Sequence, residues 1–529
     1  MVDLIVTDCD YVVVGGGHNG LVAANYLAKT GRSVVVLEQR PYLGGMAATQ
    51  AHVAAAPHHL LSKGAIDSIF MKTTQIAAEL QLAQHGLNVI DVDPGYGWIN
   101  EEGDTLCLFT SAEKTALNIA RFSKKDASNY LELTNAFYKI LGLQRRFFGK
   151  AITEAGAADL IKVALTLTGD RKTRKLLWRL ASVSAHEAIA ETFESEALRG
   201  LYAYWCAIAC PPDVDGGGIF LSSLALIHQV GCSRPQRGMG GLIAALEHSL
   251  LSRGGVIRCN AAVAEILVDD RRAQGVRLDD GNEIMVARGV LTSCAPQVTY
   301  GRLLKPEALS ANIRTRLNHM PANLSNMCPF KVDMAIGGPS LFAKAQQRRK
   351  QIDGADIAGT SFMTGTLAEH MDHAAALRVG RMGSKPPIWM TVLSAVDPSI
   401  APEGQSVAYL YGSVPWEPEG GWSTQAGIFA DQLVRDASRY LDGLSAEIGR
   451  CVTTPYDFEQ QYAVPRGCIY HVDMLPTRLG PNRPASGMSG ARTEIRNLYL
   501  AGSGSHPAGG VFGMPGKLAA MEALREHQD

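Results

Sequence analysis

Three glycines, Gly15, Gly17 and Gly20, fill a G-x-G-x-x-G frame directly after the β-branched run YVVV at 11–14. In such a frame the first glycine permits a tight turn and the second lets backbone approach a pyrophosphate. The third lets the following helix pack close on the strand. His18 and Asn19 occupy open positions of the frame, and the helix continued by LVAANYLA would aim its N-terminal amides and dipole at phosphate. Gly31 ends that helix, SVVVL at 33–37 reads as a second strand, and Glu38 stands at its tip. A carboxylate there accepts hydrogen bonds from a ribose diol. A glycine frame alone fits any tight strand-to-helix turn. Strand, turn, helix, strand and acid in succession point to a bound adenine dinucleotide with an unphosphorylated ribose.

A second glycine pair bears on which dinucleotide. In EQRPYLGGMAAT, Gln39 and Arg40 follow the acid, and Gly44 and Gly45 precede Met46. This resembles the E-x-x-x-x-x-GG pattern of flavoproteins of the amine oxidase and phytoene desaturase superfamily, where the paired glycines pass close to the FAD pyrophosphate. The resemblance implies FAD rather than NAD. Two further segments carry it. RPQRGMGG at 234–241, a helix over 242–251 and a glycine turn at 254–255 are similar to the PxGGMG-helix-GG-strand segment of phytoene-desaturase-like enzymes. In that family the residue matching Val263 usually contacts the adenine through its backbone. NLYLAGSGSHPAGGVFGMPGK at 497–517 resembles the strand, loop and helix that place glycine amides against the pyrophosphate and a helix N-terminus at the flavin. The lining residues it implies are Gly502, Ser503, Gly504, Gly509, Gly510, Gly513 and Met514, with Pro515 early in the helix where its missing N–H costs nothing.

The family implied is the phytoene dehydrogenase (carotenoid desaturase)-related FAD-dependent oxidoreductases. The fold class expected is α/β, a Rossmann-like FAD-binding domain of the GR2-type flavoproteins with an inserted α+β substrate domain. Residues 1–65, 231–296 and 459–529 would form the first, and 66–230 and 297–458 the second. VAAAPHHLLS at 53–62 lies where related flavoproteins bring the chain back under the isoalloxazine ring, which makes His58 a cofactor contact and His59 a candidate base. RGCIYHVDMLPTRLGPNRP at 466–484 resembles a segment closing over the flavin, which adds Tyr470 and His471; each of these also fits packing or structural hydrogen bonding. Two residues depart from the pattern. Met46 stands where many desaturases carry a basic residue, and Ser503 where amine oxidases usually have an acid.

The reaction implied is removal of two hydrogens across a carbon–carbon bond of a hydrophobic or alicyclic, ketone-bearing or plain, small-molecule substrate. Oxygen, a quinone or another carrier would reoxidise the cofactor. Amine oxidation, redox-neutral isomerisation or saturation, and a non-catalytic flavin-binding role are the rival readings.

The rest of the chain sets the frame. With 529 residues, 46% hydrophobic, 19% charged and a net charge of -1, it is long enough for two or three domains and carries no basic imbalance toward nucleic acid. The opening MVDLIVTDCD has acids where a signal peptide needs positive charge, and no run approaches the ~20 apolar residues of a membrane-spanning helix. A cytoplasmic location is expected. Basic segments with aromatics at 141–150 and 170–180 fit either a solvated face or contact with an anionic membrane surface. The ten cysteines contain no C-x-x-C, and Cys206 with Cys210 reads as core rather than metal site, so no metal is expected.

Apolar spacing predicts helices over 73–84, 111–121 and 126–143. Strands are expected at 88–91 and 105–109 around the acidic turn EEGDT, then at 256–259, 264–268, 289–294, 331–335, 389–392, 406–411 and 497–501. GCSRPQR makes a poor buried strand before GMGG, which argues against a second NAD(P)H fold there.

Overall fold

The computed structural model describes residues 8–148 and 170–527. Its first strand, Asp8–Val14, runs parallel to Val34–Leu37 on one side and to Glu283–Thr292 on the other. Val256–Arg258 adds outside Val34–Leu37, and Leu498–Leu500 lies parallel to the end of Glu283–Thr292. Three stretches far apart in sequence therefore build one parallel core. Successive side chains of a strand point to opposite faces. Tyr11, Val13, Val34 and Val36 accordingly enter a core with the helices, while Val12, Val14, Val35 and Leu37 pack on the opposite side. Burial of both faces explains why these strands read as unbroken apolar runs. The antiparallel hairpin Val263–Asp269 and Arg272–Leu278 extends the sheet through a two-residue turn in which Asp270 and Arg271 both have positive φ.

Helix His18–Ala28 follows the first strand and is clamped by two others. Asn25 donates to the carbonyl of Leu246 in helix Met239–Leu251 at 2.9 Å. Helix Met514–Glu526 lies so close that a Cβ on Gly516 would stand 2.0 Å from the carbonyl oxygen of Asn19.

The second sheet has the order Glu447–Thr453, Cys328–Ile336, Ser406–Val414, Trp389–Val392, Ser361–Met363, Tyr96–Ile99, Thr105–Leu108. All nine residues of Cys328–Ile336 are buried. The expected strands at 331–335, 389–392 and 406–411 are all in it. Three local expectations change. EEGDT closes a hairpin between Tyr96–Ile99 and Thr105–Leu108, whereas Val89–Val92 pairs with Cys232–Pro235. The latter segment is thus a buried strand, made tolerable because the Arg234 guanidinium donates to Ser361 and Thr391 at 3.1 Å. It belongs to a separate two-stranded antiparallel pair, and the following Gly238 turn is packed on Thr49. The helix expected over 73–84 is reduced to Ile76–Glu79 and a short turn Leu82–His85, divided at Gln81 with φ +57°, and a separate turn of helix, Ile69–Lys72, precedes it. Thr73 and Thr74 bend their hydroxyls back to the carbonyls of Phe70 and Met71, the local competition that makes threonine a poor helix interior.

The segment 141–150 lies partly outside the described residues, as do residues 1–7 of the N-terminal stretch. Helix Arg171–Leu180 is capped by Asp170, and Arg179 and Lys172 pair with Glu187, Glu191 and Glu132, while Trp178 is 79% exposed. No helix among the described residues is long and apolar enough to cross a membrane. Cys206 and Cys210 are buried free thiols, with Cys210 pushed up to about 12 by burial. Among the described residues no group of three His, Cys, Asp or Glu side chains is arranged to hold a metal.

Candidate active site

The two sheets enclose a cavity of about 330 Å³. One end is made by the glycine turn. Gly15 has φ +96°, and a Cβ on Gly20 would stand 2.0 Å from the Gly15 carbonyl oxygen, so strand and helix meet only because both are glycine. Gly17 has open space where its side chain would be. Glu38 is buried, accepting from the amides of Gly16 at 2.8 Å and Arg40 at 2.9 Å; burial raises its pKa and these bonds oppose the rise. Gly44, at φ +106°, donates to Gly16 O at 2.8 Å and ties the second glycine pair to the first turn. Arg40 donates to Gln461 O at 2.7 Å and lies over the rings of Tyr42 and Tyr462.

Gly15, Gly17, His18, Asn19, Glu38, Gln39, Arg40, Gly44, Gly45, Met46 and Val263 line this end, joined by Ser503, Tyr470 and His471 from the C-terminal part. Asn19 donates to Ser503 Oγ at 3.1 Å, while its Oδ1 is buried without a partner. His18 bonds the Gly510 carbonyl at 3.1 Å. Other expected residues are not brought to the cavity. Gly20 and Gly502 serve packing, a Cβ on the latter standing 2.5 Å from Ser293 O, and Gly513 is closed in by Ile76 and Met71. Met514 is in the helical core. His58 is exposed, and His59 is buried elsewhere, its neighbour Leu60 bonded to Ile400 O. The chain turns at 54–59 and passes through the short strand Leu61–Ser62 before it re-enters the cavity at Gly64, so the histidines fall short of it.

The other end is a chamber of aromatic rings. Tyr409 and Tyr411 stack 6.3 Å apart with planes 8° from parallel, and Trp389 meets both edge-on. Tyr96 abuts Trp205 at 5.0 Å. Two polar groups interrupt this wall. Asp67 accepts the Tyr96 hydroxyl. Lys331, almost fully buried, contacts Asp333 at 2.6 Å, donates to Ser62 O and lies 5.3 Å from the Tyr409 ring centre.

Residues 13–72 match the family described as NAD(P)-binding Rossmann-like domain. Over 98% of its length the chain is 29% identical to pyridine nucleotide-disulfide oxidoreductase domain-containing protein 2 of Mus musculus, covering 93% of that protein. It is 24% identical to a limonene dehydrogenase polypeptide of Castellaniella defragrans, over 95% of this chain and 92% of that one. It is also 24% identical to a lycopene-forming phytoene desaturase of Pseudescherichia vulneris, over 97% of each. These likenesses support a relation of the chain to the phytoene desaturase-related oxidoreductases. A putrescine oxidase variant shares the fold of this chain, with a TM-score of 0.61 at 15% identity over 98% of this chain and 99% of that one.

The loop bearing Tyr470 and His471 is held by a residue that sequence reading missed. The buried Arg483 guanidinium donates to the carbonyls of Tyr470, Val472, Asp473, Arg478 and Ser503. His471 sits in the loop at φ +66°, and Gln297 donates to its carbonyl at 3.1 Å. Burial lowers His471 to about 3, with Arg483 and His18 adding to the fall, and burial lowers His18 to about 4 against the Gly510 bond. Both imidazoles are therefore neutral at pH 7. The unfolded chain binds these protons from about pH 6.5 downward while the folded one refuses them. Stability is full above pH 6.5 and falls on acidification, by about 1.4 kcal/mol per pH unit for each histidine until the folded value is reached. Urea midpoints at pH 7 and pH 5 test this, and His471→Asn should flatten the difference.

Lys331 and Asp333 had a legible signal: two opposite charges at i and i+2 share one face of an otherwise apolar strand, PFKVDMAI. Asp67 and Arg483 had none.

Proposed function

We propose that the chain binds one FAD along the cavity and uses it to remove two hydrogens across a carbon–carbon bond of a neutral hydrophobic or alicyclic substrate. The supporting observation is the continuity of the cavity, from the Gly15–Gly20 turn, Glu38 and the Gly44–Gly45 pair at one end to the aromatic chamber at the other. The residues present fit a flavin dinucleotide: Gly17 leaves room for a pyrophosphate, Glu38 is placed for a ribose, and the unpartnered Asn19 Oδ1 offers an acceptor beside them. Bound there, the flavin would supply a two-electron acceptor. The chain's own part is to hold it, to exclude water with aromatic walls, and to orient the substrate. Relatives named limonene dehydrogenase and phytoene desaturase support a hydrocarbon-like substrate class. Oxygen, a quinone or another carrier would take the electrons onward. Residues 1–65, 231–296 and 459–529 are assigned to the cofactor half, and 66–230 and 297–458 to the substrate half.

Amine oxidation is the second reading, favoured by the aromatic lining, which suits a cation. Two features oppose it. At 6.3 Å, Tyr409 and Tyr411 are in ordinary contact with one another rather than spread around a guest. Asp333 already has a cation in Lys331, and Asp67 lies in the field of Arg234. Anaerobic mixing of the purified yellow protein with cyclic ketones, polyenes and amines tests both readings. Bleaching of the flavin by ketones or polyenes is expected, and bleaching by amines alone would overturn the assignment.

A further inference from the structure

Asp67 stands where the lining of the cavity changes character. Just before it, Ala65 donates to Met46 O at 2.9 Å, and a Cβ on Gly64 would lie 2.8 Å from that same oxygen. The segment is thus pressed on the second glycine loop. Two residues after Ala65, the Asp67 side chain faces the cavity beside Tyr96 and Trp205. Its Oδ2 takes the Tyr96 hydroxyl, and Oδ1 has only a long 3.5 Å contact from the Ile69 amide. A carboxylate has about four acceptor sites, so capacity remains toward the cavity. Desolvation raises its pKa, and the Tyr96 bond and the Arg234 charge restrain that rise. Burial that raises a carboxylate's affinity for protons makes it the better base.

A carboxylate removes a proton from carbon only where the departing electron pair is stabilised. Lys331 lines the same cavity. Its ammonium has three donors, and Asp333 and Ser62 O account for two. The third is left for an oxygen in the chamber. Since Asp67 is offset by Arg234 and Asp333 by Lys331, the chamber favours a guest without net charge.

Building on the reading above, we propose that Asp67 is the proton acceptor of the chamber and Lys331 the cation for a developing oxyanion, and that the substrate is a neutral, hydrophobic carbonyl compound. The C–H bond next to the carbonyl breaks and its proton passes to the Asp67 carboxylate. The electron pair shifts into a new C=C as the carbonyl π pair moves onto oxygen, where Lys331 offsets it. Return of a solvent proton reverses the step with no change in oxidation state, so proton abstraction can be read separately from flavin reduction.

The test incubates the holoenzyme anaerobically with saturated cyclic ketones in D2O, following α-deuteration by NMR and flavin absorbance together. The wild type should exchange well above protein-free buffer. Asp67→Asn should exchange at least 100-fold more slowly with flavin content unchanged, and Asp67→Glu should recover part of the loss. The double variant Lys331→Met, Asp333→Asn, which leaves no buried charge unpaired, should slow exchange at least tenfold. Exchange without bleaching would support Asp67 and sink the redox reading. Equal bleaching and exchange in wild type and Asp67→Asn would sink Asp67 and leave the redox reading standing, and a wild type that never exceeds buffer would also overturn the proposal. An undiminished rate in the double variant removes Lys331 from it.

Discussion

Gly17→Ala should fold normally and fail to hold flavin, whereas Gly20→Ala, three residues on, should lose the fold of the turn itself. The two glycines share one motif but answer to different constraints. At Gly17 the backbone has φ -69° and nothing lies within 4 Å of a built Cβ. An alanine therefore costs the flavin-free chain nothing and gains about 0.4–1 kcal/mol by restricting the unfolded state. Its methyl, however, enters the cavity that Gly17 lines, where backbone must approach a pyrophosphate. FAD affinity should fall at least 100-fold. At Gly20 the methyl would meet Gly15 O at 2.0 Å and Ser293 Oγ at 3.0 Å. Relief requires the helix to move off the strand, at about 3 kcal/mol or more. Urea unfolding of the flavin-free chains and titration of each with FAD at 450 nm separate the two effects. Wild-type affinity in Gly17→Ala would show that no pyrophosphate passes there.

That contrast also shows what a sequence can disclose. The turn was readable because its constraint is local: Gly15, Gly17, Gly20 and Glu38 lie within one strand-helix-strand unit and are positioned by its hydrogen bonds. The second sheet was readable because its central strands are apolar runs of strand length, as in Trp389–Val392 and Ser406–Val414. The chamber was not, because Tyr96, Lys331 and Tyr409 sit on second-sheet strands far apart in sequence, and Trp205 from a helix and Asp67 from a loop join them only in the folded chain. His58 and His59 had suitable chemistry, but a few residues of turn decide whether a side chain reaches a cavity. The helix expected over 73–84 had the right spacing, yet it begins only at Ile76 and is broken at Gln81, whose φ is +57°. Long-range placement, rather than residue type, is the part that periodicity leaves open.

Replacing Arg483 with methionine should cost about 4 kcal/mol and loosen the chamber wall, although Arg483 does not line the cavity. Its guanidinium is fully buried and donates to five backbone carbonyls, those of Tyr470, Val472, Asp473, Arg478 and Ser503. A buried carbonyl left without its donor loses about 1–3 kcal/mol, and methionine fills part of the volume without replacing any bond. The planar fork reaches carbonyls on two chain segments at once, so Arg483→Lys, with a compact ammonium, should recover only a fraction. The functional consequence follows from which carbonyls are held. Tyr470 O and Ser503 O are bonded at 2.7 Å, and both residues line the cavity. With the clasp gone, the left-handed His471 rests on its own bond to Cys468 O and on Gln297, and Ser503 on the bond from Asn19. Arg483→Met should therefore show a lower urea midpoint, proteolytic cleavage between residues 470 and 483, and faster flavin dissociation. Arg483→Lys should lie between it and the wild type in all three. A methionine variant with wild-type midpoint and flavin retention would mean that the loop is held by its own turns and by Gln297, with the guanidinium merely accommodated.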